Sequence, residues 1–161
     1  MLGIARIEEV RTEIDRLSLA SSTAQELMRK MVKLLHDRML KYNWVGFYML
    51  EAGAKPPMLV LGAFEGAVTP HVRIPLNQGI CGAAASSGQT VIVDDVSKDP
   101  RYLACSLETK SEIVVPIFAS GVVVGELDID SHFPAAFTSE HRDLVQHCAV
   151  LVGKKLETSG R

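Results

Sequence analysis

The sequence predicts an α+β protein: about six strands in a mainly antiparallel sheet, with N- and C-terminal helices on one face. Two changes of hydrophobic period carry this. Apolar residues recur at helical spacing from Ile4 to Met39, and the period then switches to two near Asn43. Strand-like segments run to Ser131, and a last helical stripe of Leu144, Cys148, Leu151 and Val152 follows. The second face of such a sheet needs a cover. A long loop and a short helix can supply it and enclose a pocket.

The elements follow in order. Ile4, Ile7, Val10, Ile14 and Leu17 form the apolar face of a first helix. The Ser21-Ser-Thr cluster breaks it and caps a second, in which Met28, Met31, Val32, Leu35 and Met39 continue to about Lys41. That methionine stripe reads as core packing. "NWVGFYML" puts Trp44, Gly46 and Tyr48 on one strand face and Val45, Phe47 and Met49 on the other. Residues 53–57 make a turn, and "MLVLGAF" and "HVRIP" are further strands. "NQGICGAAASSG" suits a tight turn into a short helix, and "TVIV" is a strand. Residues 94–110 carry turn residues without periodicity and form a long loop of the kind that often serves function. "SEIVVPIF", a turn at Ala119-Ser-Gly121, and "VVVGELDID" make a buried hairpin. Pro116 lacks an N–H, so it belongs at an edge or a bulge. Thr138 or Ser139 caps the final helix. The result is one domain over 1–161, with helices in 1–42, sheet and pocket in 43–131, and a C-terminal helix in 137–157.

The chain has 161 residues, 47% hydrophobic and 22% charged, a globular balance with a formal net charge of −2. Without a basic surplus to neutralise phosphates, nucleic-acid binding is excluded as a first reading. The charged N-terminus has no apolar core of a signal peptide, and the most apolar run, 113–125, is too short for a membrane span. Three cysteines, Cys81, Cys105 and Cys148, suit reduced thiols in a cytoplasmic protein.

The chemistry-bearing feature is "VVVGELDIDSH", in which Glu126, Asp128 and Asp130 fall on one strand face, roughly 6.5–7 Å apart, with Leu127 and Ile129 on the other. An exposed sheet face explains them as well as a function does. The functional readings are an ammonium site, a proton donor of raised pKa, or a metal site with Asp128, Asp130 and His132 as ligands. Ligands in line along one strand converge poorly, so no metal is expected. Cys105 sits in the long loop, where a thiol can be reactive or a small apolar plug. Cys81 opens the small-residue insert, where a helix N-terminus can lower its pKa or where it simply packs. Cys148 lies on an apolar stripe and is structural. Glu112 opens a strand beside the long loop, as a solvated end or as a general acid. Trp44 and Tyr48 make an aromatic wall, of core or of pocket. Walker A, nucleophile-elbow and Rossmann fingerprints are absent.

In order and spacing, "NWVGFYML", "LVLGAFEG", "VRIPLNQGICGAAA", "DDVS", "LACSLETKSEIVVPI" and "VVGELDIDS" resemble the free methionine-(R)-sulfoxide reductases, which are stand-alone GAF domains. The resemblance covers residues 43–131. It implies a GAF-type antiparallel sheet with a closed pocket over one face and a substrate that is the free amino acid. Cys105 falls on the family's catalytic cysteine, Trp44 and Tyr48 on its pocket aromatics, and Glu112, Asp128 and Asp130 on its pocket carboxylates. Glu126 has no carried-over role, and it and His132 are expected to meet solvent. The sequence departs from the pattern at "TPHVRIP", where His71 stands in place of the usual resolving cysteine. Cys81 matches a third family cysteine. Either Cys81 resolves, or an external thiol does, or turnover is poor.

The mechanism so implied has Cys105 attack the sulfoxide sulfur, Glu112 with Asp130 protonate the oxygen, Asp128 bind the ammonium, and Trp44 and Tyr48 hold the methyl thioether. No cofactor is bound, and thioredoxin or glutathione supplies the reducing thiol. A non-catalytic GAF sensor binding a small molecule is the alternative. A homodimer through the terminal helices is compatible with both.

Overall fold

The computed structural model describes residues 2–102 and 107–159, with the side chains of residues 2–5 outside the description. Two helices lead, α1 (Leu2–Ala20) and α2 (Ala24–Arg38). Thr23 caps α2, accepting from the Glu26 backbone N–H at 3.1 Å, while the Glu26 carboxylate accepts from the Ser22 N–H at 2.8 Å. This reciprocal arrangement satisfies one open donor of the first turn and the N–H that precedes the cap. The helix stops at Arg38, earlier than Lys41, because Met39 takes an extended backbone.

The sheet consists of β1 (Trp44–Leu50), β2 (Met58–Glu65), β3 (Arg73–Pro75), β4 (Val91–Val93), β5 (Ser111–Ala119) and β6 (Val122–Ser131). Their spatial order is β3-β2-β1-β6-β5-β4, and every neighbouring pair is antiparallel. The short helix α3 (Gly79–Ser87) links β3 to β4, and α4 (Ser139–Ser159) follows the sheet. The long loop contains one 3₁₀ turn, Val96–Lys98, capped by Asp95. Ser120 and Gly121 both have positive φ (52° and 80°), the geometry of a two-residue hairpin turn that matches strand twist. Pairing of β4 with β5 ends at Val114, so Pro116 meets β6 alone, just before a register shift between Ile117 and Phe118. A residue without an N–H is accommodated where β5 has lost one neighbour.

Strand alternation divides the molecule into two cores. On one side Val45, Phe47, Ile113, Val115, Ile117, Leu127 and Ile129 pack against the buried stripes of α1, α2 and α4. On the other, Trp44, Tyr48, Leu59, Ile74 and Val114 pack with Ile80, Cys81, Ala84 and Ala85 of α3. Gly153 lets α4 lie directly on β5: a Cβ there would stand 2.1 Å from the Phe118 carbonyl oxygen. Backbone cannot yield as a side chain can. Gly153→Ala is expected to cost about 2–3 kcal/mol, read as a lower urea midpoint with unchanged m-value. A midpoint equal to wild type would show that α4 slides freely on the sheet.

Candidate functional site

The carboxyl groups face the α3 side. Glu126, Asp128 and Asp130 are 0%, 4% and 2% exposed, and Glu112 is 5% exposed. The ladders explain their grouping. Asp130 lies opposite Glu112 on β5 and Trp44 on β1, Asp128 opposite Gly46, and Glu126 opposite Tyr48. Face parity is therefore as the spacing predicts, but the solvated-face alternative is overturned. Glu126 in particular does not meet solvent: it lies between Tyr48 and Pro116 in the sheet, and α3 packs on that face beside it. His132 is exposed beyond the strand, 3.6 Å from Glu108.

Burial sets the electrostatics. Glu112 is pushed well above the usual carboxylate range by desolvation, then by the charges of Asp128 and Asp130. Desolvation also raises Glu126 and Asp128, and for Asp128 hydrogen bonding to Glu112 and Cys81 opposes the rise. Both Glu126 oxygens and Asp128 Oδ1 lack a hydrogen-bond partner among the described residues. The Cys81 thiol donates to Asp128 Oδ2 at 3.4 Å. Of the two readings open for Cys81, packing is the one its burial favours, and the helix N-terminus does not lower its pKa. Burial raises it well above the ordinary thiol value, and Asp128, Glu126 and Glu112 add to the rise. Surrounding carboxylates and lost water outweigh a helix of nine residues.

The aromatic wall has two tasks. Trp44 lies 6.2 Å from Tyr48 and stacks on Phe64 at 5.8 Å, measured between ring centroids. Its Nε1–H donates to the Ala67 carbonyl at 3.0 Å, and the Tyr48 hydroxyl donates to the His71 carbonyl at 2.7 Å. The rings thus tie the segment after β2 over the acids. Gly46 makes room, since a Cβ would fall 2.3 Å from the Trp44 ring. These backbone anchors have no sequence signal. The glycine between two aromatics was the one available hint.

Tyr48, His71, Ile74, Gly79, Ile80, Cys81, Glu112 and Asp128 line a cavity of about 30 Å³. Cys81, Glu112 and Asp128 bring ligand atoms within 4.8 Å of one another, whereas Asp128, Asp130 and His132 form no such group among the described residues. Side chains from three elements converge where side chains in line along one strand do not. Cys105 lies outside the described residues. Of its flanks, Tyr102 packs on the α3-side core and the Lys110 N–H donates to the Ser131 carbonyl at 2.7 Å. Cys148 is buried in the opposite core with its thiol pushed up to about 12, mainly by burial, in keeping with a structural role.

The buried acids give a test by pH. With the folded pKa of Glu126 above its unfolded value, the folded chain holds the extra proton between them. Stability is then full below the ordinary carboxylate range and falls as pH rises toward the folded value, by up to about 1.4 kcal/mol per pH unit per proton. Glu126→Gln is expected to flatten this decline in urea titrations from acid to mildly alkaline pH and to be more stable at the alkaline end. A slope equal to wild type would mean that Glu126 ionises as readily folded as unfolded.

The GAF domain family matches residues 23–156. The chain is 36% identical over 126 residues to the free methionine-R-sulfoxide reductase of Escherichia coli, spanning 78% of this chain and 73% of that protein. It is 42% identical over 113 residues to the enzyme of the same name from Saccharomyces cerevisiae, spanning 70% of this chain and 62% of that one. A solved structure of free methionine-R-sulfoxide reductase from Neisseria meningitidis, in complex with its substrate, superposes with a TM-score of 0.90 at 32% identity. The superposition covers 98% of this chain and 92% of that one. With a six-stranded antiparallel sheet, helices on one face and a carboxyl-lined pocket on the other, the chain belongs to the GAF domain family and, within it, to the free methionine-R-sulfoxide reductases.

Proposed function

We propose that the protein reduces free L-methionine (R)-sulfoxide to methionine. The observation that carries this is the set of carboxyl groups at Glu112, Asp128 and Asp130, buried beside an aromatic wall. An ammonium group and a basic sulfoxide oxygen are chemistries that offset the cost of burying such acids. Cys105 is the nucleophile. Its thiolate attacks sulfur as the S–O bond breaks, and the oxygen passes to Cys105 as a sulfenic acid while methionine leaves. Glu112, held protonated by burial and its acidic neighbours, donates to the sulfoxide oxygen, with Asp130 beside it. Asp128 binds the ammonium, and Trp44 and Tyr48 hold the methyl thioether.

Cys81 is the cysteine of this pocket among the described residues. Its thiol condenses with the sulfenic acid to a disulfide, Asp128 accepting the thiol proton and returning it to the departing hydroxide, which leaves as water. Thioredoxin or glutathione then reduces the disulfide. The reaction belongs in a reducing cytoplasm, and a homodimer through the terminal helices would cover the exposed Leu19 and Val150.

Thiol-coupled turnover with pure (R)- and (S)-sulfoxides, free and within a peptide, tests the reading. Rapid consumption of the free (R) form alone is expected. Tight binding of that form without turnover would instead establish the GAF sensor, which His71 in the usual resolver's place favours.

A further inference from the structure

Cys81, Glu112 and Asp128 converge on one point of the pocket. Their ligand atoms lie within 4.8 Å of one another, all three residues are buried, and they come from α3, β5 and β6. The cavity they share, about 30 Å³ among the described residues, has room for an ion or a water. A separate observation points the same way. Asp128 Oδ1 is buried without a hydrogen-bond partner among the described residues, and neighbouring Glu126 has both oxygens in that condition. Such oxygens are costly in the absence of a cation or donor.

We propose that Cys81, Glu112 and Asp128 form a binding site for a thiophilic divalent metal ion, zinc being the best fit, and that its occupation closes the pocket to substrate. The donor set selects the ion. One thiolate and two carboxylates suit zinc, whereas magnesium and calcium take all-oxygen sets of six or more ligands. Three protein ligands leave a fourth tetrahedral position for water. With Zn–S about 2.3 Å and Zn–O about 2.0–2.2 Å, tetrahedral ligands stand roughly 3.3–3.7 Å apart. Cys81 Sγ and Asp128 Oδ2 are already at 3.4 Å. The Glu112 carboxylate lies within 4.8 Å of both ligand atoms, a gap that a change of rotamer closes. Exclusion of substrate rests on the assignment of Asp128 to the ammonium, since one carboxylate cannot serve both cations. Zinc would also withhold Cys81 from disulfide formation, so the site couples metal supply to repair of the oxidised amino acid.

The test uses the reduced full chain and zinc chloride, equilibrated against a chromophoric zinc chelator. One zinc per chain is expected. Cys81→Ser and Asp128→Asn should each weaken binding at least ~10-fold, while Cys105→Ser leaves it unchanged. Cobalt(II) should give a thiolate-to-cobalt charge-transfer band that Cys81→Ser loses. Added methionine (R)-sulfoxide should weaken zinc binding in proportion to its concentration. Absence of stoichiometric binding, binding that survives Cys81→Ser, or binding lost in Cys105→Ser overturns the site. Zinc affinity indifferent to the sulfoxide overturns the closure. If sulfoxide is never turned over but the Cys81-dependent cobalt band persists, the reductase reading falls and the metal site stands.

Discussion

Serine at position 105 is expected to abolish reduction of free methionine (R)-sulfoxide, by at least about 10⁴-fold in kcat. The loss follows from the chemistry asked of this residue. Attack on the sulfoxide needs a polarizable thiolate, and the oxygen must be carried off as a sulfenic acid. A hydroxyl at neutral pH is a poor nucleophile and has no equivalent oxidised state. Glu112, Asp128, Trp44 and Tyr48 are untouched by the change, so calorimetry should still find the sulfoxide bound. Cys81→Ser separates the two thiols, because the role proposed for Cys81 begins only after methionine has left. That variant should release one equivalent of methionine in a single turnover and slow thereafter. Turnover by Cys105→Ser within tenfold of wild type would remove the assigned nucleophile.

Asparagine in place of Asp128 is expected to lower kcat/KM for the free amino acid by about 10²–10³-fold, or about 3–4 kcal/mol. A charge-assisted hydrogen bond is lost, and a substrate ammonium is left buried without its counter-charge. The same change should not weaken the fold. Asp128 is 4% exposed, and one of its oxygens lacks a partner among the described residues, so the neutral amide removes a buried ionisable group. Lost activity with an unchanged or raised thermal midpoint is therefore the signature. Trp44→Phe is the comparison. It keeps most of the apolar wall and loses the Nε1 bond to the Ala67 carbonyl. Equal losses in the two variants would remove the ammonium role from Asp128.

Much of the fold was written in local pattern. The period of two in "NWVGFYML" assigned Trp44 and Tyr48 to one face and Phe47 to the other, and the two cores divide at those residues. The Ser120–Gly121 turn and the limited pairing at Pro116 were legible because backbone conformation and a missing N–H are properties of single residues. The resemblance in motif order supplied the family, which no spacing rule reaches.

The sequence by itself determined which residues share a strand face, where the helices begin, and that Glu126, Asp128 and Asp130 point the same way. Only the tertiary structure decided that this face is dry, that Glu126 is inside it, and that Cys81 stands against Asp128 as a raised thiol and not an activated one. The physical reason is that face parity depends on adjacent peptide units, whereas burial and pKa depend on what packs above the strand. That cover comes from α3 and the loop held by Trp44 and Tyr48, elements distant in sequence from β6 and joined to it only by folding.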